Sequence, residues 1–100
     1  MPRNKLYALH PEAQTEIEGA YQWYFERSAD ATIGFLTSVN EGLDIVSDNP
    51  DRWPRYLYGT RRYLLSGFPF SIIYLDQPDS VTIIAIAHHK RKPGYWKSRL

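Results

Sequence analysis

One hundred residues make one domain with room for a single modest core. The chain has no Cys, which excludes a disulfide framework and a thiolate metal site. No apolar run approaches the ~20 residues that a membrane-spanning helix needs, so no membrane association is expected. The formal net charge of +1 conceals a split: residues 1–50 hold three Lys/Arg against eight Asp/Glu, and residues 51–100 hold nine against three. A basic half on a near-neutral chain points to a surface that meets an anionic partner. Eight Tyr suit a contact surface as well as a core. The opening Met-Pro-Arg-Asn-Lys lacks the apolar stretch of a signal peptide, so a cytoplasmic protein is expected, with residues 1–100 as one domain.

In chain order, residues 3–9 read as a short strand carrying Leu6, Tyr7 and Leu9. His10-Pro11-Glu12 starts a helix, with Pro where its missing N–H is harmless and Glu where the helix dipole favours it. Ala13, Ile17, Ala20, Tyr21 and Tyr24 form its apolar face, and Glu16, Glu18 and Glu26 are expected in water. Ser28-Ala29-Asp30 supplies a turn and an N-cap. A second helix follows through Phe35, Leu36, Val39, Leu43 and Val46, and Asn49-Pro50 ends it. Gly34 and Gly42 lie eight apart, near one face, and predict close approach of the two helices in an antiparallel hairpin.

After an irregular link over residues 50–54, Tyr56 and Tyr58 alternate as strand material before Gly59. A three-stranded meander is expected next: Arg61 to Leu65, Phe68 to Leu75, and Val81 to Ala87, with turns at Ser66-Gly67 and Asp76 to Ser80. The last two strands are apolar on both sides, with Ile84 and Ile86 expected opposite Ile83 and Ala85. One helical hairpin covers only one face of a sheet. The other face therefore needs a cover, from the C-terminal tail and from a partner protein. The fold expected is α+β: a helical hairpin packed on a four-stranded, mainly antiparallel sheet in the order β-α-α-β-β-β, with a basic C-terminal tail.

The stretch Arg61-Arg62-Tyr63, Phe68 to Tyr74, Ile84 to His88, Arg91 and Pro93-Gly94-Tyr95-Trp96, in this order of elements, resembles the RelE/ParE superfamily of toxins from type II toxin–antitoxin systems. It looks most like the plasmid-stabilisation, ParE-like members, and the likeness in architecture spans nearly the whole chain. The resemblance implies a growth inhibitor silenced by a cognate antitoxin protein. It implies either DNA gyrase as target, without bond-breaking chemistry, or the ribosome and its mRNA, cleaved by a metal-independent endoribonuclease. A homodimer is left open, and no cofactor is expected.

RNA cleavage needs a base for the ribose 2′-OH, a cation for the phosphorane and an acid for the leaving oxygen. The resemblance implies an Arg on the second strand, another on the third, and a Tyr or His near the C-terminus. Arg61 or Arg62 fills the first place, whereas the third-strand place falls near Phe70-Ser71, which carries no Arg. The nuclease candidates are Arg62, His88, His89, Arg91 and Tyr95. The target-contact candidates are Arg61, Arg62, Lys90, Arg91, Lys92, Tyr95 and Trp96. Alternation puts Arg61 and Arg62 on opposite faces, so only one shares a surface with the tail. Pro93-Gly94 suggests a fixed turn, which favours packing of Tyr95-Trp96 over nucleobase stacking. His88 and His89 point apart on a strand, so no metal site is expected from them. Lys90, Arg91, Lys92, Lys97 and Arg99 are read as contacts to an anionic target.

Overall fold

The structure is a computed structural model that describes residues 6–100; the expected strand residues Arg3 to Lys5 lie outside them. β1 (Leu6–Leu9) leads into α1 (Pro11–Phe25) and α2 (Ala29–Asp48). β2 (Arg61–Leu64), β3 (Phe70–Asp76) and β4 (Ser80–His88) follow as the meander. The sheet order is β1-β4-β3-β2, with β1 parallel to β4 and the other pairs antiparallel. The expected element order and fold class are therefore found.

Local chemistry sets the helix ends. The His10 imidazole accepts the Glu12 N–H at 3.1 Å and Pro11 begins α1. The Ser28 hydroxyl accepts the Ala31 N–H at 3.1 Å, which satisfies one of the donors a helix start leaves open. Phe35, Val39, Leu43 and Val46 of α2 are buried against Ile72, Tyr74, Val81, Ile83 and Ile86 of the sheet, with Ala13, Ile17, Ala20 and Tyr24 of α1 completing this core. Tyr21, expected on that face, stacks on Phe25 instead, with ring centroids 5.9 Å apart.

The two α2 glycines serve the sheet rather than the hairpin. A methyl group on Gly42 would lie 2.8 Å from Ile72 Cδ1 and 3.0 Å from the Tyr63 ring; one on Gly34 would lie 3.2 Å from the Phe68 ring. Gly34 and Gly42 thus let α2 settle onto sheet-side residues, which corrects the expected helix–helix role. The Tyr56–Tyr58 stretch is also not a strand. Tyr58 takes a left-handed backbone at φ 60° and Gly59 follows at φ 77°, so the chain doubles back and Arg55 pairs with Arg61.

A β-bulge changes the faces of β4. Ile73 pairs with Ala85 but Tyr74 pairs with Ile83, so Ile84 is an extra residue. An extra residue reverses the alternation beyond it. Val81 and Ile83 face the helices before the bulge, and Ile86 faces them after it. Ile84, Ala85 and Ala87 lie on the opposite side. Ile84 and Ile86 therefore do not share a face, contrary to simple period-two counting.

That opposite side is covered by the tail, one of the two covers expected; the tail alone buries Ile73, Ile84, Ala85 and Ala87, so the expected share of a partner protein is not called for over these residues. Trp96, 2% exposed, packs on Ile73, Ile84, Ala85 and Ala87, flanked by Tyr56, Leu75 and Tyr95. Gly94, at φ 86°, supplies the turn that brings the ring there.

The tail is also tied to α1 around the edge of β4. β1 pairs only with Ser80 to Ile83, and His10 N–H donates to the Ile83 carbonyl at 2.8 Å before the chain leaves for α1. Beyond that point side chains close the edge. The Glu16 carboxylate accepts the Ile86 N–H at 2.9 Å, and Arg99 donates to the Ile84 carbonyl at 3.1 Å. Arg99 and Glu16 form a two-pronged pair at 2.9 and 3.0 Å, and the Tyr95 hydroxyl donates to the same carboxylate. The Glu16 side chain is 14% exposed and that of Arg99 7%. Glu16 is thus not a solvated helix residue, and Arg99 is a clamp rather than a contact to an external anion. The sequence reading erred on both because neither residue reveals its distant partner by local spacing.

Removing one member of a sequestered ion pair leaves the other charge uncompensated, at about 3 kcal/mol or more. Urea unfolding of Glu16→Gln should show a loss near ~3 kcal/mol at this partly open edge. The Glu16→Gln/Arg99→Gln double variant should lose less than the two singles combined. Trp96→Ala should lose about 3–5 kcal/mol by opening a cavity under the tail. Additive losses at Glu16 and Arg99 would show that the pair does not act as a unit.

Candidate functional site

The turn that follows β4 forms a cationic ridge between two concavities. Lys90, Arg91 and Lys92 are exposed along it. Nested hydrogen bonds fix its course: Arg91 N–H donates to the His88 carbonyl at 3.0 Å and Tyr95 N–H to the Lys92 carbonyl at 3.2 Å. Arg91 lies over the Tyr95 ring, 3.8 Å from its centroid, and 3.8 Å from the Glu16 carboxylate. A guanidinium held between a ring face and a carboxylate has a defined direction, unlike a free surface Lys.

On the helix side of the ridge is an open groove of about 480 Å³. Gly19, Ala20, Trp23 and Tyr24 of α1 form one wall, and Phe70 and Ile86 of the sheet form the floor. Gly19 and Ala20 leave space that larger side chains on α1 would fill. Trp23 is 52% exposed, a large apolar surface left in water. His88, Lys90 and Arg91 give the groove a basic rim.

On the tail side is a smaller socket of about 200 Å³. Arg62 lines it from β2, and His89 and Arg91 from the turn that follows β4, over a floor that includes Ile73 and Ala87. Arg62 lies 4.4 Å over the Tyr56 ring. The Ser71 hydroxyl and His89 Nε2 are 3.0 Å apart, which fixes the imidazole from β3.

The candidates named from sequence therefore separate. Arg62, His89, Arg91 and Tyr95 line one socket. Arg61 is on the helix face, donating to the Trp53 carbonyl at 2.6 Å, so Arg62 is the one that shares a surface with the tail. His88 and His89 diverge: His88 turns its ring edge-on to Phe70, with centroids 4.9 Å apart, and its Nδ1 accepts the Lys90 N–H at 3.0 Å. Trp96 is buried beneath the socket, which is a packing position rather than one that presents a ring to a target. Burial and the hydrogen bond to Glu16 push the Tyr95 phenol well above its ordinary pKa. Its proton is committed to Glu16, which suits an anchor and not a general base.

Sequence reasoning misassigned Glu16 and Arg99, which position the ridge, and did not single out Trp23, which walls the groove. A signal for Glu16 was present. It stands three residues after Ala13 and four before Ala20, inside the apolar stripe of α1, where a carboxylate needs a partner. Nothing in the local pattern marks Arg99.

Among the described residues, no helix is long and apolar enough to cross a membrane. No curated protein matches the chain. Among solved structures, a chain described as "Chromosomal ParDE TA system from P. aeruginosa" superposes with a TM-score of 0.74 at 13% identity, covering 85% of this chain and 96% of that one. At that identity the likeness concerns the fold. The family model described as "ParE toxin of type II toxin-antitoxin system, parDE" matches residues 7–93, which takes in both helices, the whole meander and the ridge, and the chain accordingly belongs to the ParE toxin family.

Proposed function

We propose that this ParE-family toxin arrests growth by acting on DNA gyrase, with the ridge and socket as its contact surface, and that a cognate antitoxin silences it. Membership of the family is the observation that carries the reading. The target is taken from the ParE-like branch that the sequence resembles. The arrangement of charge supports a contact role. The exposed ridge carries Lys90, Arg91 and Lys92, and Glu16, an acid beside it, is shared among Arg99, Tyr95 and, at 3.8 Å, Arg91. Such a surface steers an acidic partner and favours rapid encounter.

The groove between α1 and the sheet suits the antitoxin. It has an apolar wall and floor with a basic rim, which matches an acidic segment bearing apolar anchors. Trp23 is the anchor point on the toxin side, since exposed Trp is a frequent centre of binding energy.

The endoribonuclease alternative is the weaker reading. Ser71 stands on β3 near the place where the nuclease branch is expected to carry Arg, and the Tyr95 hydroxyl is bound to Glu16. Purified toxin should inhibit gyrase supercoiling and leave mRNA on programmed ribosomes intact. Discrete cleavage products without any effect on gyrase would reverse the assignment.

Two sets of variants test the two surfaces. Neutral substitution of Lys90, Arg91 and Lys92 should abolish growth inhibition, while surface changes of this kind shift stability by only about ±0.5 kcal/mol each. Thermal melts of the same protein check the second half of that statement. Trp23→Ala should keep growth inhibition but weaken the antitoxin complex at least tenfold by titration. Full toxicity in the triple variant would remove the ridge from the contact surface.

A further inference from the structure

We infer that the socket formed by Arg62, His89 and Arg91 is a receptor for a carboxylate side chain on an acidic protein segment. The inference deepens the contact role proposed above and rests on it only for its biological meaning. Three groups converge there from two parts of the chain distant in sequence: Arg62 from β2, and His89 and Arg91 from the turn that follows β4. No Asp or Glu is among the lining residues. Arg62 has a ring partner, Tyr56, but no acidic partner among the described residues. Two planar guanidinium groups offer forked donors, a geometry that fits a carboxylate. Ser71 orients His89 at 3.0 Å, so the third group is held rather than free to swing away.

The choice between a carboxylate and nucleic acid follows from the aromatic rings. Single strands are held by bases stacked on free ring faces. Here Arg62 lies over Tyr56, whose ring also abuts Trp96 at 5.6 Å between centroids. Arg91 lies 3.8 Å over Tyr95, and Arg99 sits 5.1 Å from the same ring. The Trp96 ring is buried. The Tyr56 and Tyr95 rings are already used to support cations, which leaves forked donors with no free tyrosine or tryptophan face beside them. A protein carboxylate needs the first and not the second.

The test uses the full chain and three probes: an octapeptide of alternating Glu and Gly, its Gln counterpart, and a uridine octamer. Binding is followed by NMR at the Arg62 and Arg91 Nε–H, the His89 ring and the Trp96 indole N–H beneath the socket. The Glu peptide should move these signals together and saturably, and the Gln peptide should not. Arg62→Gln and Arg91→Gln should each weaken binding at least tenfold. Arg62→Lys, which keeps the charge and loses the fork, should fall between. Arg52→Gln should change nothing, because Arg52 lies 5.2 Å over the Trp53 ring and does not line the socket. An unaltered backbone spectrum confirms that each variant is folded. The inference is overturned if the shifts are confined to Lys90 and Lys92, if the Gln peptide binds equally, or if the uridine octamer binds the socket more tightly. Growth inhibition is a separate measurement: peptide binding in a chain that does not inhibit growth would refute the toxin reading and leave the socket standing.

Discussion

A single carboxylate joins α1, the free edge of β4 and the C-terminal tail. Glu16 takes the Ile86 amide of β4, the Tyr95 hydroxyl and both prongs of Arg99. It thereby ties α1 to the sheet edge and the tail to both. The edge needs this closure, because β1 stops at Leu9 and leaves the rest of β4 without a neighbouring strand on that side. An open strand edge invites pairing with foreign chains. Charged side chains close it here while also fixing where the ridge runs. The same residue therefore protects the fold and sets the position of Arg91.

The clamp makes the two sheet faces interdependent. The helix face is held by the apolar packing of α1 and α2 on the sheet, and Glu16 extends from α1 to the tail. The second face is covered by Trp96 and its neighbours, and Trp96 lies in the segment between Tyr95 and Arg99 that the clamp secures. Anything that releases Arg99 from Glu16 also loosens the cover over Ile73, Ile84, Ala85 and Ala87. Stability and the presentation of the contact surface are in this sense one property, measured at two places.

Elements with local signals were legible in the sequence. Pro11, Ser28 and Asn49-Pro50 mark helix limits by backbone chemistry alone, and the apolar periods of α2 and β3 give their core faces directly. The need for a cover on the second face also followed from β3 and β4 being apolar on both sides. What failed depended on distant contacts. Gly34 and Gly42 announce a close approach but not what approaches. Glu16 and Arg99 lie 83 residues apart, so their pairing has no local trace. Tyr58 shows no sign of its left-handed backbone, since its neighbour Gly59 suggests only a turn. The candidate site was legible as a set of residue types but not as a geometry. Period-two counting separated Arg61 from Arg62 and His88 from His89. It did not reveal that Arg62, His89 and Arg91 meet in one concavity.

The extra residue at Ile84 works as a frame setter for the end of β4. Every side chain after it, His88 and His89 included, faces the way it does because one residue was inserted between the β1-paired half of the strand and the ridge. In a ParE relative without the insertion, the two positions before the ridge would exchange sides, and the imidazole meant for the socket would face the groove. Residue-for-residue alignment through this strand therefore transfers chemistry between relatives only when the bulge is transferred with it.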